Sequence, residues 1–129
     1  MATVTRFEDL EIWQEARSLF NKIKVISNQT ALNNDYKLKD QIKSSSGSIM
    51  DNIAEGFERD GNLEFRQFLS IAKGSAGETR SQLYRVYDSD YISEEQLKIL
   101  VDEYEKLSKR LSAFITYLNK KDFKGNKFK

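Results

Sequence analysis

The chain has 129 residues, 39% hydrophobic and 32% charged, with no proline, cysteine or histidine and a formal net charge of +1. That is the size of one domain able to bury about two-thirds of its unfolded surface, and the lack of proline favours long unbroken helices. Missing histidine and cysteine exclude the usual general base near neutral pH, disulfides and the Ser-His and Cys-His nucleophiles, while a charge near zero gives no whole-molecule argument for nucleic acid.

In chain order, Ile12, Ala16, Leu19, Ile23 and Ile26 repeat at helical spacing and predict a first helix over 9–28. Leu38, Ile42, Ser45, Ile49, Ile53 and Phe57 predict a second over 35–58, with Asn34 or Asp35 as its N-cap. Phe65, Phe68, Ala72, Ser75, Thr79, Leu83 and Val86 predict a third over 63–88, with Asn62 as N-cap. Leu97, Leu100, Tyr104, Leu107, Leu111, Phe114 and Leu118 predict a fourth over 94–119, opened by a capping box of Ser93 and Gln96. The connectors QTALN, RDGN and SDYIS are short, so the fold class is all-α: an up-down-up-down antiparallel four-helix bundle over 1–119. A basic segment, KKDFKGNKFK, follows at 120–129 and is expected to be loose. No apolar run reaches the ~18 residues of a membrane span and no signal-peptide pattern opens the chain, which leads us to expect a cytoplasmic protein away from membranes.

Within the second helix, SSSGS (Ser44 to Ser48) costs roughly 3 kcal/mol of helix propensity relative to alanine. The third helix carries Gly74, Ser75, Ala76 and Gly77 at about the same height in a hairpin turning near residue 60. Small residues facing small residues let two helix axes approach closely, and buried hydroxyls can bond carbonyls one turn earlier. Asn52, beside the core stripe, needs a partner from residues 1–9 or from another subunit.

Catalytic patterns are thin. Ser70 to Lys73 spells S-x-x-K without the companion elements of acyl-transfer enzymes, and GSAGETRS lacks the spacing of a phosphate loop. Glu55, Glu58, Glu64 and Glu78 have no histidine with which to build a dimetal site. No catalytic residue, metal or cofactor is therefore assigned. Arg59, Arg66, Lys73 and Arg80 recur every seven residues, with Lys39 and Lys43 as a smaller row on the second helix. Such stripes are candidate contacts to a phosphate backbone, the alternative being an ion-paired solvated face. Trp13 and Phe20, and the row Tyr84, Tyr87 and Tyr91, exceed what one core takes up and point to an oligomer.

FEDLEIWQEAR, NIAEGFER and EFRQFLSIAKGSAGETRSQL, in this order over about 7–92, resemble the four-helix proteins encoded in intervening sequences of bacterial 23S rRNA genes, often labelled S23 ribosomal proteins. The resemblance implies a homopentameric ring and a likeness to the accessory protein of diversity-generating retroelements, a basic barrel that binds nucleic acid and a reverse transcriptase. The expected partners are copies of the chain, RNA or DNA held through Lys39, Lys43, Arg59, Arg66, Lys73 and Arg80, or a protein docked on a scaffold.

Overall fold

Helices of 19 to 27 residues run unbroken where the sequence offers no proline. The computed structural model describes residues 4–121, and among these there are four long helices and no strand. They are α1 (Glu11–Gln29), α2 (Tyr36–Glu58), α3 (Asn62–Asp88) and α4 (Glu94–Lys120), with 3₁₀ turns at Phe7–Asp9 and Ala31–Asn34. The segment expected to be a loose tail falls outside the described residues from position 122 onward.

Helix ends follow local chemistry. The Ser93 hydroxyl accepts from the Gln96 N–H at 3.1 Å while the Gln96 amide oxygen accepts from the Ser93 N–H at 2.8 Å, completing the expected capping box. Asp35 caps α2, accepting from the Leu38 N–H. The start of α3 differs from expectation. Gly61, at φ +110°, holds the N-cap position, and Asn62 is instead the first helical residue. The reversal between α2 and α3 needs a positive φ that glycine adopts without a Cβ clash. Asn62 is buried and donates to the Lys121 carbonyl at 2.7 Å, satisfying a group that the end of α4 would otherwise leave bare. At the other end, Asp9 lies in the 3₁₀ turn, so α1 begins two residues later than its periodicity predicts.

The predicted stripes of α1 and α2 are buried throughout, and that of α4 is buried except for half-buried Phe114. On α3 the core line runs Phe65, Leu69, Ala72, Ala76, Thr79, Leu83 and Val86. Phe68 and Ser75, assigned to the core from sequence, flank it half-buried. The aromatic surplus is mostly absorbed within the chain. Phe7 meets Trp13 edge-on at 5.2 Å, Tyr87 and Tyr91 pack against the core, and the Tyr91 hydroxyl donates to Asp35 at 2.9 Å. That hydrogen bond, with burial, pushes the Tyr91 phenol up. Tyr84 alone of the tyrosine row stays exposed.

Residue numbers that rise on α2 fall on α3: Ser45 lies 2.8 Å from the Thr79 hydroxyl and Ser48 lies 3.0 Å from Ser75. The serine cluster is therefore interface material, as expected, but the glycines divide differently. A Cβ on Gly56 would lie 2.6 Å from the Phe68 Cβ and 2.9 Å from the Phe65 ring. Near their turn, then, α2 and α3 approach so closely that position 56 has no room for a Cβ. Gly47 faces Phe20 on α1, whereas a Cβ at Gly74 or Gly77 would meet no other described residue within 4 Å. Asn52 needs no outside partner, since its amide donates to the Ser48 carbonyl and hydroxyl at 2.8 and 2.9 Å.

Tyr104, fully buried on α4, carries a hydroxyl without a partner among the described residues. Burial, and then the neighbouring Glu103 charge, push its phenol up. Tyr104→Phe should stabilise the chain by roughly 1 kcal/mol, because it removes a desolvated hydroxyl. Since the folded pKa is raised, the stability linked to this group is fully present below the unfolded value near 10 and is lost as pH rises further. Urea titrations from pH 8 to 11 should show a shallower alkaline loss in the variant, and identical slopes would contradict the assignment.

Candidate functional site

The six basic residues singled out from sequence do not form one surface. Lys39 donates to the Asn33 carbonyl at 3.2 Å and lies over the Tyr36 ring, beside the connection from α1. Lys43 stands one turn before Gly47, which faces Phe20 of α1. Arg66 bonds the Asn62 carbonyl and the Asn119 side chain on α4. The first pair thus borders α1 and Arg66 borders α4, on opposite edges of the α2–α3 pair. Arg59, at the turn, is tied to Glu55 at 2.9 Å and Glu64 at 3.8 Å and stacks over Phe68.

The α3 row meets different partners along its length. Arg66 faces Asn119, and seven residues on Lys73 shares an open groove of about 600 Å³ with Ser70, Gly74, Ser112, Ile115 and Thr116. Seven residues further on, the Arg80 Nε is buried and without a hydrogen-bond partner among the described residues. Lys73 has no ion-pair or hydrogen-bond partner among the described residues. Its groove holds one ammonium, three hydroxyls and no carboxylate, a lining suited to an anion.

Two apolar surfaces were not singled out in the sequence. On the outer side of α3, Ser70, Gly74, Gly77 and Ser81 form a low strip bordered by Leu63, Ile71 and Tyr84, which are 58%, 52% and 51% exposed. Between α1 and α4, the pair of neighbouring helices that touch least, Val25, Ile26, Ile99 and Leu100 line a groove of about 360 Å³. Lys22 and Glu103 bridge it at 2.8 Å. The signal was present: Val25, Ile71 and Ile99 each sit one residue before a core position, so they are apolar yet turned off the stripe. Among the described residues no cluster of metal-ligating side chains occurs, and no helix is long and apolar enough to cross a membrane.

No match is found among curated proteins. A solved structure of similar fold is that of a protein of unknown function from the S23 ribosomal protein family of Bacteroides thetaiotaomicron VPI-5482. It aligns with a TM-score of 0.72 and 25% identity over 81% of this chain and 95% of that one. The family model for 23S rRNA-intervening sequence proteins matches residues 8–113, the span that holds α1, α2, α3, most of α4 and both apolar surfaces. The chain belongs to the 23S rRNA-intervening sequence protein family.

Proposed function

We propose that the chain is a non-catalytic cytoplasmic protein that works by association, an up-down-up-down antiparallel bundle that assembles with copies of itself into a ring, five being the count its family resemblance implies. The observation carrying this reading is the outer face of α3. Two mid-helix glycines cost roughly 2 kcal/mol of helix propensity together, and a Cβ added at either would meet no atom of another described residue within 4 Å. Three large apolar side chains stand more than half exposed around them. Bare glycines with exposed apolar side chains along the same helix support contact with an outside partner. The antiparallel sense is supported by the opposed numbering of the α2–α3 pairs and of the α1–α4 pairs Glu15–Arg110 and Lys22–Glu103. The non-catalytic reading is supported by the sequence's lack of histidine and cysteine and by Ser70 and Lys73 lying exposed on an open rim. Native mass spectrometry over a concentration series tests it: assembly gives integer multiples of the 15.0 kDa chain, and monomer at every concentration would refute it.

A second reading, RNA or DNA held by its phosphate backbone, is favoured by the groove around Lys73. In it Lys73 is the principal contact, Arg66 and Arg80 are flanking ones, and Lys39, Lys43 and Arg59 join only where neighbouring copies bring separate edges together. Arg66→Glu with Lys73→Glu should then weaken binding to all sequences alike and lower the slope of log affinity against log salt by about 2. An unchanged slope would count against this edge.

A further inference from the structure

We propose that the α3–α4 groove binds a phosphate monoester, held by Lys73 with the hydroxyls of Ser70, Ser112 and Thr116. This rests on the phosphate reading above and narrows it from a backbone diester to a monoester.

Charge along α4 is divided by halves. Glu94 to Glu105 holds five carboxylates and one lysine, whereas Lys106 to Lys120 holds four bases and no acid. Between Glu64 and Glu78, α3 likewise has no acid and carries Arg66 and Lys73. These two basic stretches are the ones that meet, since Arg66 bonds Asn119 and Lys73 shares the groove with Ser112, Ile115 and Thr116. A formal charge of +1 conceals this, because the acids of α4 lie at its other end.

Some of these bases are already paired. Lys106 meets Asp102, and Arg110 meets Glu15. Lys73, Lys109 and Lys120 are exposed and have no ion-pair partner among the described residues. Spacings of three and four residues set Lys109, Ser112, Thr116 and Lys120 on one face of α4, and Arg66, Ser70 and Lys73 on one face of α3. The hydroxyls differ from others in the bundle. Ser46 and Thr79 turn back to carbonyls one turn earlier, at 2.6 and 2.9 Å. Ser70, Ser112 and Thr116 bond nothing among the described residues, so each keeps an O–H for a ligand.

An ammonium and three hydroxyls therefore line one groove that no carboxylate enters. A monoester brings three terminal oxygens and nearly two charges to them, where a backbone diester brings two oxygens and one charge. Such a group occurs on free phosphorylated small molecules and at the 5′-phosphate end of a nucleic-acid strand. Lys109 and Lys120 flank the groove and would attract either.

Nuclear magnetic resonance on the full chain tests the site with phenyl phosphate, a monoester, against dimethyl phosphate, a diester. The monoester should shift the amide signals of Ser70, Lys73, Ser112 and Thr116 and bind at least tenfold more tightly. Fluorescence anisotropy then compares a short single-stranded RNA ending in a 5′-phosphate with the same strand ending in a 5′-hydroxyl. A tenfold preference for the phosphorylated end identifies a strand terminus as the source; phenyl phosphate binding without that preference identifies a free small molecule. Lys73→Gln with Ser112→Ala, at an exposed and a half-buried position, should abolish monoester binding while circular dichroism shows the helices retained. Lys24→Gln with Lys37→Gln, off the groove, should leave it unchanged, and an equal loss there would overturn the site. RNA bound alike with either end, together with no response to phenyl phosphate, would overturn the monoester site and leave the backbone reading standing. No binding of any probe would overturn both.

Discussion

Gly56→Ala should lower the stability of the chain by about 1–3 kcal/mol and its melting temperature by several degrees. On propensity alone the substitution would gain up to about 1 kcal/mol in a helix interior. Packing reverses the sign. The new methyl group would sit 2.6 Å from the Phe68 Cβ and 3.3 Å from the Phe65 carbonyl oxygen, atoms fixed to the α3 backbone that no side-chain rotation moves aside. Relief requires α2 and α3 to separate near their turn, loosening Phe57 against Phe65, whose rings meet edge-on at 6.0 Å. Gly74→Ala, whose methyl group would meet no other described residue within 4 Å, supplies the control on the same scale and should not destabilise. A denaturation midpoint for Gly56→Ala equal to or above that of the unmodified chain would contradict the close approach.

Ser45→Ala should cost about 1–3 kcal/mol, although alanine is the better helix former. The Ser45 hydroxyl lies 2.8 Å from the Thr79 hydroxyl and 2.5 Å from the Gln82 amide oxygen, all three residues buried between α2 and α3. Thr79 retains the Ser75 carbonyl at 2.9 Å, but Gln82 is left with a desolvated oxygen. Ser46→Ala is the matched comparison. Its hydroxyl bonds back only to the carbonyls of Ile42 and Lys43, so its removal strands no side chain and should be near neutral. Equal midpoints for the two variants would show that the cross-helix bonds contribute nothing to stability.

The contrast between these serines marks what periodicity can and cannot read. Apolar spacing located the four helices to within two residues at each end, because each buried stripe and each cap is a local pattern: Ser93 with Gln96, Asp35 before Leu38. It placed the serine cluster at the α2–α3 interface for the same reason. It misassigned Gly74 and Gly77, which it faced inward, and passed over Gly56, because which face a glycine turns is set by the rotation of the whole helix. A one-residue error of that kind put Phe68 and Ser75 in the core in place of Leu69 and Ala76. Asn62 was misread because a cap and a buried donor to a distant carbonyl look alike in sequence. The basic row was legible as spacing. Its partners, Asn119 beside Arg66 and a hydroxyl-lined groove beside Lys73, belong to another helix and were not. The α1–α4 groove exists only once two segments about seventy residues apart stand side by side.

The alternatives that remain differ in what the charges of α3 meet. Phosphate contacts release condensed counterions, so nucleic-acid binding falls steeply with salt. A contact between apolar faces with charged borders weakens only moderately over the same range.

Size-exclusion chromatography with light scattering, at low and moderate salt, with and without a structured RNA, tests most directly the claim that this chain works by self-association. The account predicts a multiple of the chain mass at both salts, formed without RNA. A further shift with RNA at low salt, lost as salt rises, would add the phosphate-binding role on the Lys73 edge. A clean monomer under all four conditions would contradict the account.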